Sequence, residues 1–247
     1  LATQPGVDQA IHHVSSFRIL GGKVAATVAY PFMVSLRTYR QGHACGGTIV
    51  NNLWILTSAH CMYGESIASI FAVVGTNTLN SGGIEVEIRK IVMHPNYNDT
   101  GYESNDIALI KLDSALNYSA TVAPVTLDTD VSESIIHVTL IGWGETRNKG
   151  PPSNKLRELS TKTISQAACS QYWSDLVSPN QICTRFQSGK GFCGSDSGGP
   201  LIRTNSKTQV GIASFNFEGG CGRVLPDVFT RVSKFLPWIQ STIHSQS

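Results

Sequence analysis

No apolar run in this chain approaches the roughly 20 residues needed to cross a bilayer, so a membrane-spanning helix is excluded. The first residues show neither a charged nor an apolar stretch of the kind that directs secretion, so any signal peptide is expected to have been removed already. Charge is scarce. Charged residues make up 15% of 247, the net charge is only +2, and no Lys/Arg cluster occurs. That balance argues against a nucleic-acid or membrane-surface partner. Metal motifs are missing too: no C-x-x-C and no H-E-x-x-H pattern is present, so neither a metal nor another cofactor is expected. The adjacent His12 and His13 lie in a polar stretch without periodicity and are read as incidental.

What the sequence does have is glycine and short alternating segments between turn signals, which point to an all-β chain. Candidate strands are 32–36, 47–50, 54–56, 71–74, 84–88 and 106–112, then 137–141, 156–159, 181–183, 200–203 and 209–214. Alternation gives β structure but not the closure of a barrel. The segment from Val232 to Ile243 reads as a helix, with Ser233 as N-cap, Pro237 in the first turns, and Phe235, Trp238, Ile239 and Ile243 packing inward. Six cysteines, an even number, suit an oxidising, extracellular compartment, though six allow 15 pairings.

Three stretches carry chemistry. Gly191-Phe-Cys-Gly-Ser-Asp-Ser-Gly-Gly-Pro200 sets Ser197 between an aspartate and two glycines, in a backbone free to turn sharply. A serine hydroxyl is a poor nucleophile unless a base lies within hydrogen-bond reach and a third group orients that base. Thr57-Ser-Ala-His60-Cys61 offers the base. Ser104-Asn-Asp106-Ile-Ala-Leu-Ile offers the orienting carboxylate, a lone acid opening an apolar strand. In the order His60, Asp106, Ser197 and with these flanks, the chain resembles the chymotrypsin-like serine peptidases. Ile141-Gly-Trp-Gly144 adds to the likeness, which runs from Ile19 to the C-terminal segment.

The resemblance implies two six-stranded antiparallel β-barrels packed together with a C-terminal helix. Residues 19–247 would be the peptidase domain, with a first barrel over about 19–125, a second over about 126–232 and a helix over about 233–247. It selects the disulfides Cys45–Cys61, Cys169–Cys183 and Cys193–Cys221. Residues 1–18 would be an activation propeptide, removed by a protease that cuts after Arg18, and the new Ile19 ammonium would pair with Asp196. The leader has no cysteine, so no disulfide could tether it after cleavage. Some relatives bind calcium through carboxylates where this chain has Gly75 to Gly83, a stretch without any acid, so no calcium is expected. Asn98-Asp-Thr100 and Asn117-Tyr-Ser119 fit the glycosylation sequon.

By the same resemblance the activity is acyl transfer from protein or peptide substrates, with His60 as base, Asp106 as its support and Ser197 as nucleophile. The oxyanion would meet the backbone N–H groups of Ser197 and Ser195. Ser195 departs from the pattern, because glycine is usual there and a Cβ could strain the loop or hinder a substrate. The specificity pocket would have Gly191 as its floor, with Phe192, Asn216 and Asp227 on its walls. A glycine floor with an aspartate displaced to the wall resembles the crab collagenases (brachyurins) and related insect enzymes, which accept large apolar and basic side chains. The ring of Phe192, together with Asn216, could narrow that pocket. The expected protein is a secreted, monomeric, chymotrypsin-like endopeptidase that is open to protein inhibitors. The alternative is a catalytically impaired homologue acting as a binding or cascade-cofactor protein.

Overall fold

In a computed structural model the described residues are 19, 21–98, 104–147, 149–185, 189–216, 221–222 and 225–246. The stretch 1–18, including Arg18, lies outside them, as do Asp99 and Thr100 of the first sequon. The strands are β1 (Lys23–Val24), β2 (Met33–Thr38), β3 (Gly42–Asn51), β4 (Trp54–Thr57), β5 (Ile70–Val74), β6 (Ile84–Met93) and β7 (Ala108–Leu112). After them come β8 (His137–Gly142), β9 (Arg157–Ile164), β10 (Gln181–Thr184), β11 (Pro200–Arg203), β12 (Gln209–Phe215) and β13 (Val228–Arg231).

Strands β2 to β7 close one six-stranded antiparallel barrel in the order β2-β3-β4-β7-β6-β5. Strands β8 to β13 close another, in the order β9-β10-β13-β12-β11-β8, sealed by the pairing of β8 with β9. Two barrels are therefore present, as the resemblance implied. The short β1 adds to the second barrel through β9, with Lys23 opposite Glu158. Ile19 belongs to that barrel's core as well. The opening residues of the span expected for the first barrel thus pack on the second.

Side-chain alternation explains how the barrels close and then dock. Along β4, Ile55 points into the first barrel's core, while Trp54 and Leu56 face a second cluster that includes Ile212, Phe235 and Ile239. Along β7, Ala108, Ile110 and Leu112 point inward, and Leu109 joins that same outer cluster. Strands covered on both faces in this way lose the polar half of the alternation and read as continuous apolar runs. By contrast β6 keeps it, with Val86 and Ile88 buried between exposed Glu85, Glu87 and Arg89. Between the barrels a buried polar link runs from Thr48 Oγ1 on β3 to Gln209 Oε1 on β12, at 2.8 Å.

Among the described residues, two α-helices complete the fold. Helix α1 (Gln166–Trp173), which is not among the expected elements, is capped by Ser165, whose Oγ accepts the Ala168 N–H at 3.2 Å. Helix α2 (Leu236–Ser245) begins three residues later than expected, because a 3-10 turn occupies Val232–Lys234 first. Ser233 is consequently not the N-cap. Its hydroxyl is buried inside that turn without a hydrogen-bond partner among the described residues, and Phe235 takes the cap position. Pro237 does fall in the first turn of α2, and Phe235, Trp238, Ile239 and Ile243 pack on the inter-barrel cluster.

The three disulfides are Cys45–Cys61, Cys169–Cys183 and Cys193–Cys221. The acid-free loop 75–83 is tied together by hydroxyls: Thr76 and Thr78 Oγ1 both donate to the Ser81 carbonyl, at 3.0 and 2.7 Å. Asn117 is exposed on the loop that follows β7. Among the described residues no helix is long and apolar enough to cross a membrane.

Candidate active site

Asp106 comes from the first barrel, at the entry to β7. Asn105 just before it turns the chain at φ 55°, and its side-chain amide donates to the Asn96 carbonyl at 2.9 Å. The Asp106 carboxylate is fully buried. Its Oδ1 accepts the backbone N–H of His60 at 2.9 Å, and its Oδ2 lies 2.8 Å from His60 Nδ1. The second barrel adds two hydroxyls: Ser214 Oγ on β12 donates to Oδ2 at 2.6 Å, and Thr230 Oγ1 on β13 donates to the Asp106 carbonyl at 2.7 Å. A buried carboxylate is tolerated when its lone pairs are filled in this way. His60 keeps part of its ring exposed, with a side-chain exposure of 22%. Nδ1 is committed to the carboxylate, so a proton transfer from this ring would run through Nε2, which lies 3.7 Å from Cys61 Sγ.

The Ser197 loop is locked across the barrel interface. The Ser197 carbonyl accepts the N–H of Gly46 on β3 at 2.8 Å, and the Gly198 N–H donates to Ala213 on β12 at 2.9 Å. Gly198 has φ 75°, and a Cβ there would lie 2.2 Å from Thr57 Oγ1 and 2.6 Å from the Gly46 carbonyl. Only glycine suits both the torsion and the contact. Because Thr57 and Ser58 lead directly into His60, this close approach brings the serine loop onto the histidine segment. Ser197 itself is partly exposed. Among the described residues, the N–H groups of Ser195 and Ser197 have no protein acceptor, so both are available to a ligand oxygen.

Ser195 takes the left-handed conformation, φ 68°, that glycine favours. A relay steadies it. His43 Nε2 lies 3.0 Å from the Ser195 carbonyl, His43 Nδ1 lies 2.8 Å from Ser35 Oγ, and Arg37 Nε donates to that same oxygen at 3.0 Å. A carbonyl only accepts, so Nε2 carries the proton and Nδ1 accepts from Ser35. Burial, with some help from Arg37, holds the His43 imidazole down to about 4, which keeps the ring neutral for this role.

Asp196 is fully buried, and its carboxylate accepts the N–H groups of Gly144 at 2.7 Å and Cys193 at 3.0 Å. Burial outweighs these bonds and pushes the carboxyl up to about 7. Among the described residues no cationic side chain pairs with it. Ile19, 0% exposed, lies in the same barrel's core.

Around the expected pocket, Gly191 has φ 155°, and a Cβ there would sit 2.7 Å from Asp227 Oδ2. The Asp227 carboxylate accepts the Phe192 N–H at 3.0 Å, and burial pushes it up to about 7, with nearby Asp196 adding to the shift. A cavity of about 10 Å³ beside Gly191, Asp227 and Phe229 leaves room for about one water. The Phe192 ring is turned into the second barrel's core, 5.4 Å from Phe229 and 3% exposed. Its contact with Asn216 runs instead through the main chain, where Asn216 Nδ2 donates to the Phe192 carbonyl at 2.8 Å.

Sequence reasoning passed over Ser214 and Thr230 as supports of Asp106, and His43, Ser35 and Arg37 as supports of Ser195. These are polar residues inside largely apolar strands, a signal that was legible but not specific. Among the described residues, one group of side chains has metal-ligand types in proximity: Cys45, His60 and Cys61, within 4.8 Å of one another. The two sulfurs are bonded to each other and offer no thiolate.

Comparison with known proteins agrees with this geometry. The family model described as Trypsin matches residues 19–239. A protein named alkaline trypsin B, from Manduca sexta, is 34% identical over 236 residues, covering 91% of this chain and 90% of that one. Chymotrypsin-2 from Vespa crabro is 36% identical over 226 residues, 90% of this chain and 98% of that one. A serine protease of Anopheles gambiae is 35% identical over 232 residues, 92% and 81% respectively.

Proposed function

The chain belongs to the trypsin family of serine proteases, and on that premise we propose that it is a secreted endopeptidase made as an inactive precursor, with His60, Asp106 and Ser197 as its catalytic residues. As a member of the family it is a hydrolase of peptide bonds, with proteins as its substrates. Ser197 Oγ attacks the scissile carbonyl while His60 Nε2 takes its proton. Asp106 holds the imidazole through Nδ1 and stabilises the cation that forms. The oxyanion is met by the N–H groups of Ser195 and Ser197. The proton then passes to the leaving amine, and water releases the acyl-enzyme by the same steps in reverse. The observation that carries this reading is the grip of one buried carboxylate on both the ring and the backbone of His60.

Activation follows from Asp196. A buried carboxylate without a cation is unfavourable, and cleavage after Arg18 would supply one as the ammonium of Ile19. Its alkaline loss, from a free-amine pKa of about 7.7–8.0 raised by the pairing, would set the upper pH limit of activity. The activating protease therefore cuts after arginine. For specificity, a Gly191 floor with Asp227 on the wall supports chymotrypsin- or collagenase-like cleavage rather than strict preference for a basic residue. The relatives carry both trypsin and chymotrypsin names, so names do not decide it. Ser195 adopts the turn that glycine would, which weakens the case for an inert binding homologue.

The test is amidase activity before and after limited trypsin, on substrates that differ only in Phe, Leu, Arg or Ala before the cut. N-terminal sequencing and a Ser197→Ala control accompany it. Activity that appears only with a new Ile19 terminus, and is absent from the control, is expected. Clean cleavage at Arg18 with no turnover of any substrate would establish the inert homologue instead.

A further inference from the structure

The loop that follows β7 carries a motif that the hydrolytic reading leaves unused, Asn117-Tyr-Ser119. Its two ends are anchored in the first barrel. Leu116 and Val122 both belong to that barrel's core. The Leu116 N–H is bound to the Asn52 carbonyl at 2.7 Å, and the Ser119 N–H to the Val122 carbonyl at 2.8 Å. Between these anchors residues 117–121 form a short turn in which every residue is exposed. The Asn117 carboxamide makes no hydrogen bond among the described residues, so no bond has to be given up to use its nitrogen. Ser119 is held in place as well, with its Oγ accepting the Thr121 N–H at 3.2 Å.

The turn also lies far from the catalytic groups. At the start of β7, Ala108 pairs with Thr57, which leads to His60, whereas Lys111 near its end pairs with Trp54 at the start of β4. From Asp106 to Leu112 an extended chain covers about 20 Å. Asn117 follows at that remote end, beside Asn52 in the turn between β3 and β4. The other motif of this kind is different. The Asn98 N–H is bound to the Ser104 carbonyl at 3.2 Å, and Asp99 and Thr100 lie outside the described residues.

We propose that Asn117 is a site of N-linked glycosylation, placed so that its sugar leaves the active-site cleft open. The proposal rests on the reading of the protein as secreted, because this attachment is made in the secretory pathway. Asn117 Nδ2 forms a bond to the anomeric carbon of a lipid-linked oligosaccharyl diphosphate. The carbon–oxygen bond to the diphosphate breaks, and Nδ2 gives up one proton, so nothing is oxidised or reduced. Ser119 supplies the hydroxyl that the motif requires, and Tyr118 between them is not the proline that would exclude it. A group of that bulk needs a surface turn, and this one takes it without displacing either core anchor.

The experiment expresses the full chain behind a supplied signal peptide in cultured mammalian cells, as wild type, Asn117→Gln, Ser119→Ala and Ser119→Thr. Protein is recovered from both medium and cells, so poor folding of a variant does not hide the result. Peptide N-glycosidase F in heavy-oxygen water turns each sugar-bearing asparagine into a labelled aspartate, which peptide mass spectrometry then locates. Asn117 is expected to be labelled in the wild type and in Ser119→Thr, and unlabelled in Ser119→Ala. Asn117→Gln is expected to lose the same glycan mass. An unlabelled Asn117 in wild-type protein from both sources would overturn the proposal, whatever the activity. After cleavage by trypsin, kcat/KM of the wild type on one peptide amide is expected to change by less than about twofold when the sugar is removed from the folded protein, and a change of about tenfold would overturn the placement away from the cleft. A labelled Asn117 with no turnover in any of the four cleaved proteins would sustain the site and overturn the endopeptidase reading instead. A labelled Asn117 in protein kept wholly within the cells would sustain the site and count against secretion.

Discussion

Ser195 stands at φ 68°, a conformation that costs a residue with a Cβ about 1–2 kcal/mol. Its carbonyl, held by His43, keeps the peptide in place all the same. The N–H that would meet the oxyanion belongs to the backbone and is the same in serine and glycine. Ser195→Gly is therefore expected to raise unfolding stability by about 1 kcal/mol, part of the relief being offset by glycine's greater freedom in the unfolded chain. Activity of the cleaved protein should stay within about twofold. Denaturant titration and steady-state kinetics check the two halves. A gain in kcat of about 10²–10³, the usual worth of one oxyanion donor, would mean that serine had been withholding that donor.

At the scale of elements, the serine loop depends on its contact with the histidine segment more than on its own turn. Gly198→Ala places a methyl group 2.2 Å from Thr57 Oγ1 and 2.6 Å from the Gly46 carbonyl. The expected result is loss of measurable turnover and a stability loss of about 3 kcal/mol or more, from strain at φ 75° added to displacement of the loop. Wild-type kinetics in this variant would show that the loop is not pinned there. How much of such structure a sequence displays depends on the partner. The alternation in β6 is legible because one face meets water. Helix α1 is not legible, since it buries little beyond Cys169 and Trp173, and its position owes much to the Cys169–Cys183 bond. The late start of α2 and the orphaned Ser233 follow from a 3-10 turn that no single residue announces. His60, Asp106 and Ser197 stood out because their flanking residues are unusual. The supports Ser214, Thr230 and His43 did not, because they act from other strands. Phe192 reads from its position as a pocket wall, yet its ring finds a better-packed place against Phe229.

At the scale of the whole molecule, three buried groups among the described residues are shifted into the range that bears on stability between pH 4 and 7. Burial raises Asp196 and Asp227 to about 7 in the uncleaved chain, from about 3.9 in an unfolded one. An acid raised on folding keeps its proton longer in the folded state, so its contribution is full below pH of about 4 and is lost as pH climbs to about 7. His43, held down to about 4, acts in the opposite sense: its contribution is present above about 6.5 and is lost as pH falls toward 4. With two carboxyls against one imidazole, the thermal midpoint of the uncleaved Ser197→Ala chain is expected to fall between pH 5 and 8. Asp196→Asn should make that fall shallower. Calorimetry across this range decides the matter, and a flat profile for the Ser197→Ala chain would count against a cation-free Asp196.

The Asp106 carboxylate belongs to one barrel and is held by Ser214 of the other, while the Ser197 carbonyl is held in turn by Gly46 of the first. On the proposed roles, hydrolysis is thus a coincidence detector for completed folding. A chain still emerging from the ribosome has His60 and Asp106 but not yet Ser197, and a nicked or half-unfolded molecule has lost the registry between them. Neither can cut a neighbour. On those roles the seam between the barrels withholds hydrolysis until both are folded.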